Sequence, residues 1–205
     1  MKVIDVLGKP CPVPVIEAKK ALAEPETDSV LVKVDNIVAV QNLEKMANGY
    51  GYDFAFAEKV RDSYEVTIST DGKNPQAPIT RTGEQELVIA DEKSRKLVVA
   101  IGRNTMGEGA EELGGILIKG FIYSLTELPT PPECIIFFNS GAYLTTHGSN
   151  TIDDLAKMAA KGTKILTCGT CVNYYELQGK LAVGEIADMY KITETIAFAT
   201  NVVNI

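Results

Sequence analysis

Val30, Val32 and Val34 alternate with Leu31 and Lys33, a period of two that predicts a strand with one buried face. Lys2–Val6, with Val3, Ile4 and Val6, predicts another. Between them, Pro12–Ala23 places Val13, Ile16, Ala18 and Leu22 mostly on one helical face, with Glu17, Lys19 and Lys20 elsewhere. Ile37–Asn48 predicts a second helix, closed by Gly49 and Gly51. Tyr52–Ala57 and Tyr64–Ser69 then predict a hairpin, with its turn near Arg61-Asp62-Ser63. The order β-α-β-α-β-β over residues 1–70 implies a small two-layer α/β sandwich, its helices on one face of the sheet.

Residues 71–94 break this regularity. Asp71, Gly72, Asn74, Pro75, Pro78 and Gly83 sit among polar residues and read as a linker, interrupted by Leu87-Val88-Ile89-Ala90, a candidate short edge strand. From residue 95 to 205 the pattern changes again. Leu97-Val98-Val99-Ala100-Ile101 is nearly continuous in apolar residues, as a strand buried on both faces requires. A helix from about Glu108 to Thr126, a strand at Ile135–Phe138 and a loop containing His147 follow. Thr151–Lys161 then reads as a helix, Lys164–Thr167 as a strand and Tyr174–Leu177 as a helix, before a final pair at Glu185–Asp188 and Tyr190–Ala199. Alternation of this kind predicts a flavodoxin-like or Rossmann-like domain, a mostly parallel sheet with helices on both faces.

Composition narrows the function classes. A net charge of −7 over 205 residues argues against a general nucleic-acid or membrane-surface binder. No run of eighteen apolar residues suggests a membrane span, and no leader pattern is evident at the N-terminus. Four cysteines in a chain of this length do not make a disulfide framework, so they read as reduced cytoplasmic thiols. The single histidine, His147, excludes a His-rich metal centre.

Two cysteine motifs carry the candidate chemistry. In Cys11-Pro12-Val13-Pro14, a strand pattern ends just before a helix pattern begins. The spacing predicts Cys11 at the helix N-cap and Pro12 at the first helical position, where a missing N–H costs nothing. The positive end of the helix dipole then favours a thiolate. Pro14 removes a further donor and leaves the N–H groups of Val13 and Val15 near the sulfur. A buried structural cysteine beside a proline-marked helix start is the other reading of the same residues. Cys168-Gly169-Thr170-Cys171 lies at the carboxyl end of a predicted parallel strand, where open α/β sheets keep their sites. Its spacing permits a disulfide, a persulfide with its resolving thiol, half of a zinc site, or two buried structural cysteines. Only Cys11, Cys134 and His147 remain to complete a zinc site, and they form no second paired motif. Gly102–Gly109 lacks phosphate-loop spacing and reads as a glycine turn before a helix start rich in Glu108, Glu111 and Glu112. Asn139–Tyr143, with Thr145, Thr146 and His147, forms a polar loop at the same sheet edge, where His147 would either assist a thiol or lie on the surface. Cys134 precedes a buried strand and reads as a core thiol.

Asp5, Gly8 and Cys11-Pro12-Val13-Pro14, followed by β-α-β-α-β-β, give residues 1–70 a resemblance to the TusA/SirA family of sulfur carriers. Gly107-Glu108-Gly109, Leu113-Gly114 and Cys168-Gly169-Thr170-Cys171 make residues 95–205 similar to the DsrE/DsrF-like family. The fusion of the two resembles a family associated with selenium metabolism. These resemblances imply that Cys11 accepts sulfane sulfur and holds it as a persulfide. They imply Cys168 as a second acceptor, with Cys171 an additional thiol, and sulfur or selenium as cargo.

Such a carrier needs a donor, for example a cysteine desulfurase, and an acceptor protein, with homo-oligomerisation plausible from the second resemblance. It needs no cofactor, and the sequence carries no cofactor motif. A flexible linker of roughly 25 residues has an r.m.s. span of about 25–30 Å, which permits a relay from Cys11 to Cys168 or Cys171. Two other readings remain at this point. One is a dithiol oxidoreductase built on Cys168 and Cys171; the other is a binding scaffold whose thiols are incidental.

Overall fold

A computed structural model describes residues 1–70 and 96–205, so the linker and the Leu87–Ala90 strand candidate lie outside the described residues. The chain is mixed α/β and divides into two compact units, one within Met1–Glu86 and the other within Leu87–Ile205.

The first unit holds β1 (Lys2–Asp5), α1 (Val13–Leu22), β2 (Ser29–Val34), α2 (Ile37–Tyr50), β3 (Asp53–Val60) and β4 (Ser63–Ser69). Its sheet runs β1-β2-β4-β3. β2 pairs in parallel with β1 and antiparallel with β4, so Val32 stands opposite both Ile4 and Val66. The period-two reading of β2 holds: Val30, Val32 and Val34 are buried together with Tyr64, Val66 and Ile68 of β4. Ala18, Ala21 and Leu22 of α1 and Ala39, Val40, Leu43 and Ala47 of α2 close over them as one core. The buried stripe of α1 runs through Pro14, Ala18, Ala21 and Leu22, while Val13 and Ile16 are only half-buried. α2 continues through Gly49 and ends at Gly51, whose φ of 68° supplies the left-handed cap.

The second unit contains β5 (Leu97–Ile101), α3 (Glu111–Thr126), β6 (Cys134–Phe137), a 3-10 segment (Asn139–Thr145), α4 (Ile152–Ala160), β7 (Lys164–Cys168), α5 (Gly169–Tyr174), β8 (Glu185–Ala187), α6 (Met189–Ala197) and β9 (Asn201–Asn204). The five strands are all parallel, in the order β8-β7-β6-β5-β9. Each face of the sheet has its own core. Val99, Ile101, Ile135 and Phe137 pack with Ile118 and Ile122 of α3 and Leu155 and Met158 of α4. Val98, Ile136, Leu166 and Cys168 pack with Ile192 of α6 on the opposite side.

Three sequence expectations shift. The helix expected at Tyr174–Leu177 instead begins at Gly169, directly after β7, because the glycine that reads as a turn residue serves as the first helical residue. Of the final pair, the second member is the helix α6. β9, only four residues long with asparagine at each end, carries no periodic signal and is missed, although it pairs with β5 as an edge strand of the sheet.

Candidate functional site

The loop that delivers Cys11 is fixed from both ends. Val6 N–H donates to the Lys33 carbonyl at 3.1 Å and carries the β1–β2 pairing one residue past β1. Leu7 N–H then donates to Asp5 Oδ1 at 3.2 Å and Gly8 N–H to Asp35 Oδ2 at 2.7 Å. Gly8 has a φ of 71°, which a side chain would resist. The other Asp35 oxygen accepts Asn36 Nδ2–H at 2.9 Å, and Asn36 Oδ1 caps α2 by accepting Ala39 N–H at 2.8 Å. One carboxylate therefore ties the Cys11 loop to the start of α2. The Asn36 amide, then the Gly8 N–H, hold the Asp35 carboxyl below its ordinary pKa of 3.8.

Cys11 is exposed but is not the N-cap. Pro12 occupies that position, because its carbonyl accepts the first helical bonds from Val15 at 3.1 Å and Ile16 at 3.2 Å. The Cys11–Pro12 peptide is cis, and Pro14 falls in the first turn. The two donors expected near the sulfur are spent on backbone: Val13 N–H goes to the Pro10 carbonyl at 3.0 Å and Val15 N–H to Pro12. The sulfur's donor comes from the other helix, where Asn42 Nδ2 stands 3.7 Å from Sγ. Cys11, Pro14, Val15, Asn36, Val38, Ala39 and Asn42 line a cavity of about 30 Å³. Leu7, Ile37 and Val38 lie exposed by 45%, 44% and 56%, leaving apolar surface on the segments that flank the thiol.

At the carboxyl edge of the second sheet, Cys168 ends β7 and caps α5, with Cys171 in that helix's first turn. The two thiols differ in access: Cys168 is 1% exposed within the apolar core, whereas Cys171 is half-buried. Asn139 N–H donates to Cys171 Sγ at 2.9 Å. Asn139 holds a left-handed φ of 48°, and its Oδ1 accepts the Tyr175 hydroxyl at 2.6 Å. Tyr143 and Tyr174 each pack on Tyr175 with ring centroids 5.0 Å apart. Burial, then the neighbouring Cys168 thiol, push the Cys171 pKa up, against a lowering by the Asn139 N–H.

The remaining sequence candidates fall elsewhere. His147 is exposed, and its backbone N–H donates to the Lys180 carbonyl at 2.9 Å. Its ring makes no hydrogen bond to either cysteine among the described residues. Cys134 begins β6 at the opposite, amino edge of the sheet, on a cavity of about 220 Å³ that also meets Lys96, Lys164 and Lys191. Burial pushes its thiol up to about 11, as suits a core cysteine. The glycine-rich turn leads to α3, which starts at Glu111 rather than Glu108, and Arg103 pairs with Glu108 at 3.2 Å. Among the described residues, no group of three or more His, Cys, Asp or Glu is placed to hold a metal. Nor is any helix there long and apolar enough to cross a membrane.

Comparison with known proteins separates the two units. Residues 2–70 match the family described as sulfurtransferase TusA. Over 69 residues the chain is 38% identical to a protein of Methanocaldococcus jannaschii described as a sulfur carrier, a match covering 33% of this chain and 92% of that one. The crystal structure of a SirA-like protein from Desulfitobacterium hafniense shows 52% identity, covering 34% of this chain and 96% of that chain, with a TM-score of 0.32. The ychN protein from E. coli, at 16% identity and a TM-score of 0.44, covers 54% of this chain and 99% of its own.

Proposed function

Through residues 2–70 the chain belongs to the sulfurtransferase TusA family, and from that premise we propose that it is a sulfur carrier that loads sulfane sulfur onto Cys11 as a persulfide. The observation that carries this reading is the exposed Cys11 sulfur on a pinned loop, with Asn42 as its side-chain donor. A carrier must offer a nucleophilic thiol to two different proteins, and an accessible sulfur between apolar flanks meets that need. The Cys11 thiolate attacks the outer sulfur of a donor persulfide. The donor's S–S bond breaks, the donor leaves as a thiolate, and the new S–S bond on Cys11 holds the cargo until an acceptor thiolate repeats the exchange.

The donor in this proposal is a cysteine desulfurase and the acceptor a further protein, both in the cytoplasm. Residues 1–70 form the carrier domain, 71–94 a linker and 95–205 a DsrE-like domain, a fusion that resembles YedF. Cys11 relays sulfur to the thiols at the β7 edge, in its own chain or a neighbour's. Selenium enters as an alternative cargo through that resemblance only.

The test is to incubate the reduced chain with a cysteine desulfurase and cysteine, then locate added sulfur by intact and peptide mass spectrometry. One sulfur on Cys11, absent from Cys11→Ser, is the expected result. No sulfur on Cys11 alongside a ready Cys168–Cys171 disulfide would replace this reading with a dithiol oxidoreductase.

A further inference from the structure

The family resemblance makes Cys168 the sulfur acceptor and Cys171 an additional thiol, but the access of the two thiols favours the opposite order. Cys168 packs on the same core as Ile136, Leu166 and Ala187, where no donor protein or small persulfide reaches it. Cys171 is partly open and receives the Asn139 N–H at 2.9 Å. That donor is aimed by several independent devices. Phe138 N–H binds the Ile101 carbonyl at 3.1 Å, fixing where the chain leaves β6. Gly141 then lies so close to the same carbonyl that any Cβ there would collide with it. Asn139 is held left-handed between these points, and the Tyr175 hydroxyl, flanked by Tyr143 and Tyr174, fixes its side chain. Left-handed backbone in a non-glycine residue concentrates at functional sites, where the surroundings over-determine it.

We propose that Cys171 is the entry thiol of the second unit, with Asn139 and Tyr175 as its positioning residues, and that buried Cys168 is the resolving thiol that expels bound sulfur as hydrosulfide. The proposal rests on the sulfur chemistry proposed above and deepens it. In the first step the Cys171 thiolate attacks the outer sulfur of a persulfide; the donor's S–S bond breaks and the donor departs as a thiolate. In the second, Cys168 attacks Cys171 Sγ. The Cys171–sulfur bond breaks, the departing sulfur takes the bonding electrons and the Cys168 proton, and a Cys168–Cys171 disulfide remains. A thiol reductant returns the pair to two thiols by supplying two electrons. The two cysteines are already neighbours, since Cys168 caps α5 with Cys171 three residues on, and Cys171 packs against the core cluster that holds Cys168. Burial and that neighbour hold the Cys171 thiol above its ordinary range while the Asn139 N–H pulls it down, so loading accelerates with rising pH.

The test uses the full chain carrying Cys11→Ser, reduced and treated with glutathione persulfide. Peptide mass spectrometry and sulfide release are the readouts. This chain should finish as the Cys168–Cys171 disulfide with sulfide released. Adding Cys168→Ser should trap one sulfur on Cys171 and abolish sulfide release, and adding Cys171→Ser should abolish uptake in this unit. Tyr175→Phe should slow loading and move its pH profile upward. With the second unit unaltered, a brief iodoacetamide pulse should label Cys171 ahead of Cys168. Sulfur on Cys168 in the Cys171→Ser chain, or faster alkylation of Cys168, overturns the proposal. If Cys11 of the parent chain loads while Cys168 and Cys171 take up nothing, this proposal fails alone; if no cysteine loads, the carrier reading fails with it.

Discussion

The two proposed thiol sites stand in opposite surroundings. Cys11 stands on an exposed loop where the Val13 and Val15 N–H groups are already spent, with one side-chain amide near the sulfur and apolar residues on either flank. Cys171 is half-enclosed, receives a backbone N–H at 2.9 Å, and has a second thiol buried beside it. A sulfur that must pass between proteins needs access and few competing contacts. A sulfur that must be released needs a fixed orientation and a partner thiol. The difference lies in what surrounds each cysteine rather than in the cysteine itself, and Cys134, outside both sites, is pushed up to about 11 chiefly by burial.

The largest effect that would break this contrast is at Gly141. A methyl group there meets the Ile101 carbonyl, which is held in the sheet and cannot yield as a flexible side chain would. Gly141→Ala should destabilise the second unit by about 1–3 kcal/mol, the usual cost of forcing volume into a packed site. Urea unfolding measures that loss. The same variant should displace Asn139 and change the alkylation rate of Cys171 while leaving that of Cys11 unchanged. A chain that keeps full stability and an unaltered Cys171 rate would show that the 3-10 segment does not position the donor.

A smaller effect is expected at the Cys11 loop with pH. Asp35 is held below 3.8 by the Asn36 amide and the Gly8 N–H, so the charged carboxylate is the form that ties the loop to α2. For a carboxylate lowered on folding, the stabilising contribution is complete above the ordinary value and is lost as pH falls through the folded one. The Gly8 amide resonance should therefore titrate with a midpoint below 3.8, and Asp35→Asn should abolish the transition. A midpoint at or above the ordinary value would remove Asp35 as the clasp of this loop.

Much of this arrangement was legible in the residue pattern. The alternation of β2 and β4 gave the buried face of the small sheet, and the apolar run of β5 gave the parallel core. The Cys-Pro-Val-Pro motif marked the start of α1 to within one residue: Pro12, lacking an N–H but keeping its carbonyl, took the cap position assigned to Cys11. The groups that differentiate the sites were not legible. Asn42 lies 31 residues from Cys11, and Asn139 lies 32 from Cys171. A lone asparagine in an amphipathic helix gives no local signal of a distant sulfur, and the polar loop read at Asn139–Tyr143 pointed to the sheet edge but not to the group that meets the sulfur. Asn36 was the exception in principle, since an Asn directly before a helical pattern is a capping signal. Its neighbour Asp35, reaching back to Gly8, depends on the parallel register of β1 and β2, which composition does not specify.

The smallest effect tests whether Asn42 acts on the Cys11 sulfur or only fills space beside it. An N–H to sulfur contact of 3.7 Å is long and exposed, so its contribution should not exceed the usual net range for a hydrogen bond, about 0.5–1.5 kcal/mol. Asn42→Ala should slow desulfurase-dependent loading of Cys11 by no more than about tenfold, the rate equivalent of that range. Asn42→Leu fills the space with an apolar side chain and removes the donor. If loss of the N–H is what matters, both variants should slow loading alike. If packing is what matters, the leucine variant should load as the parent does. The second outcome would leave the Cys11 sulfur without a functional side-chain donor and sharpen the contrast with Cys171, whose donor is fixed in the backbone.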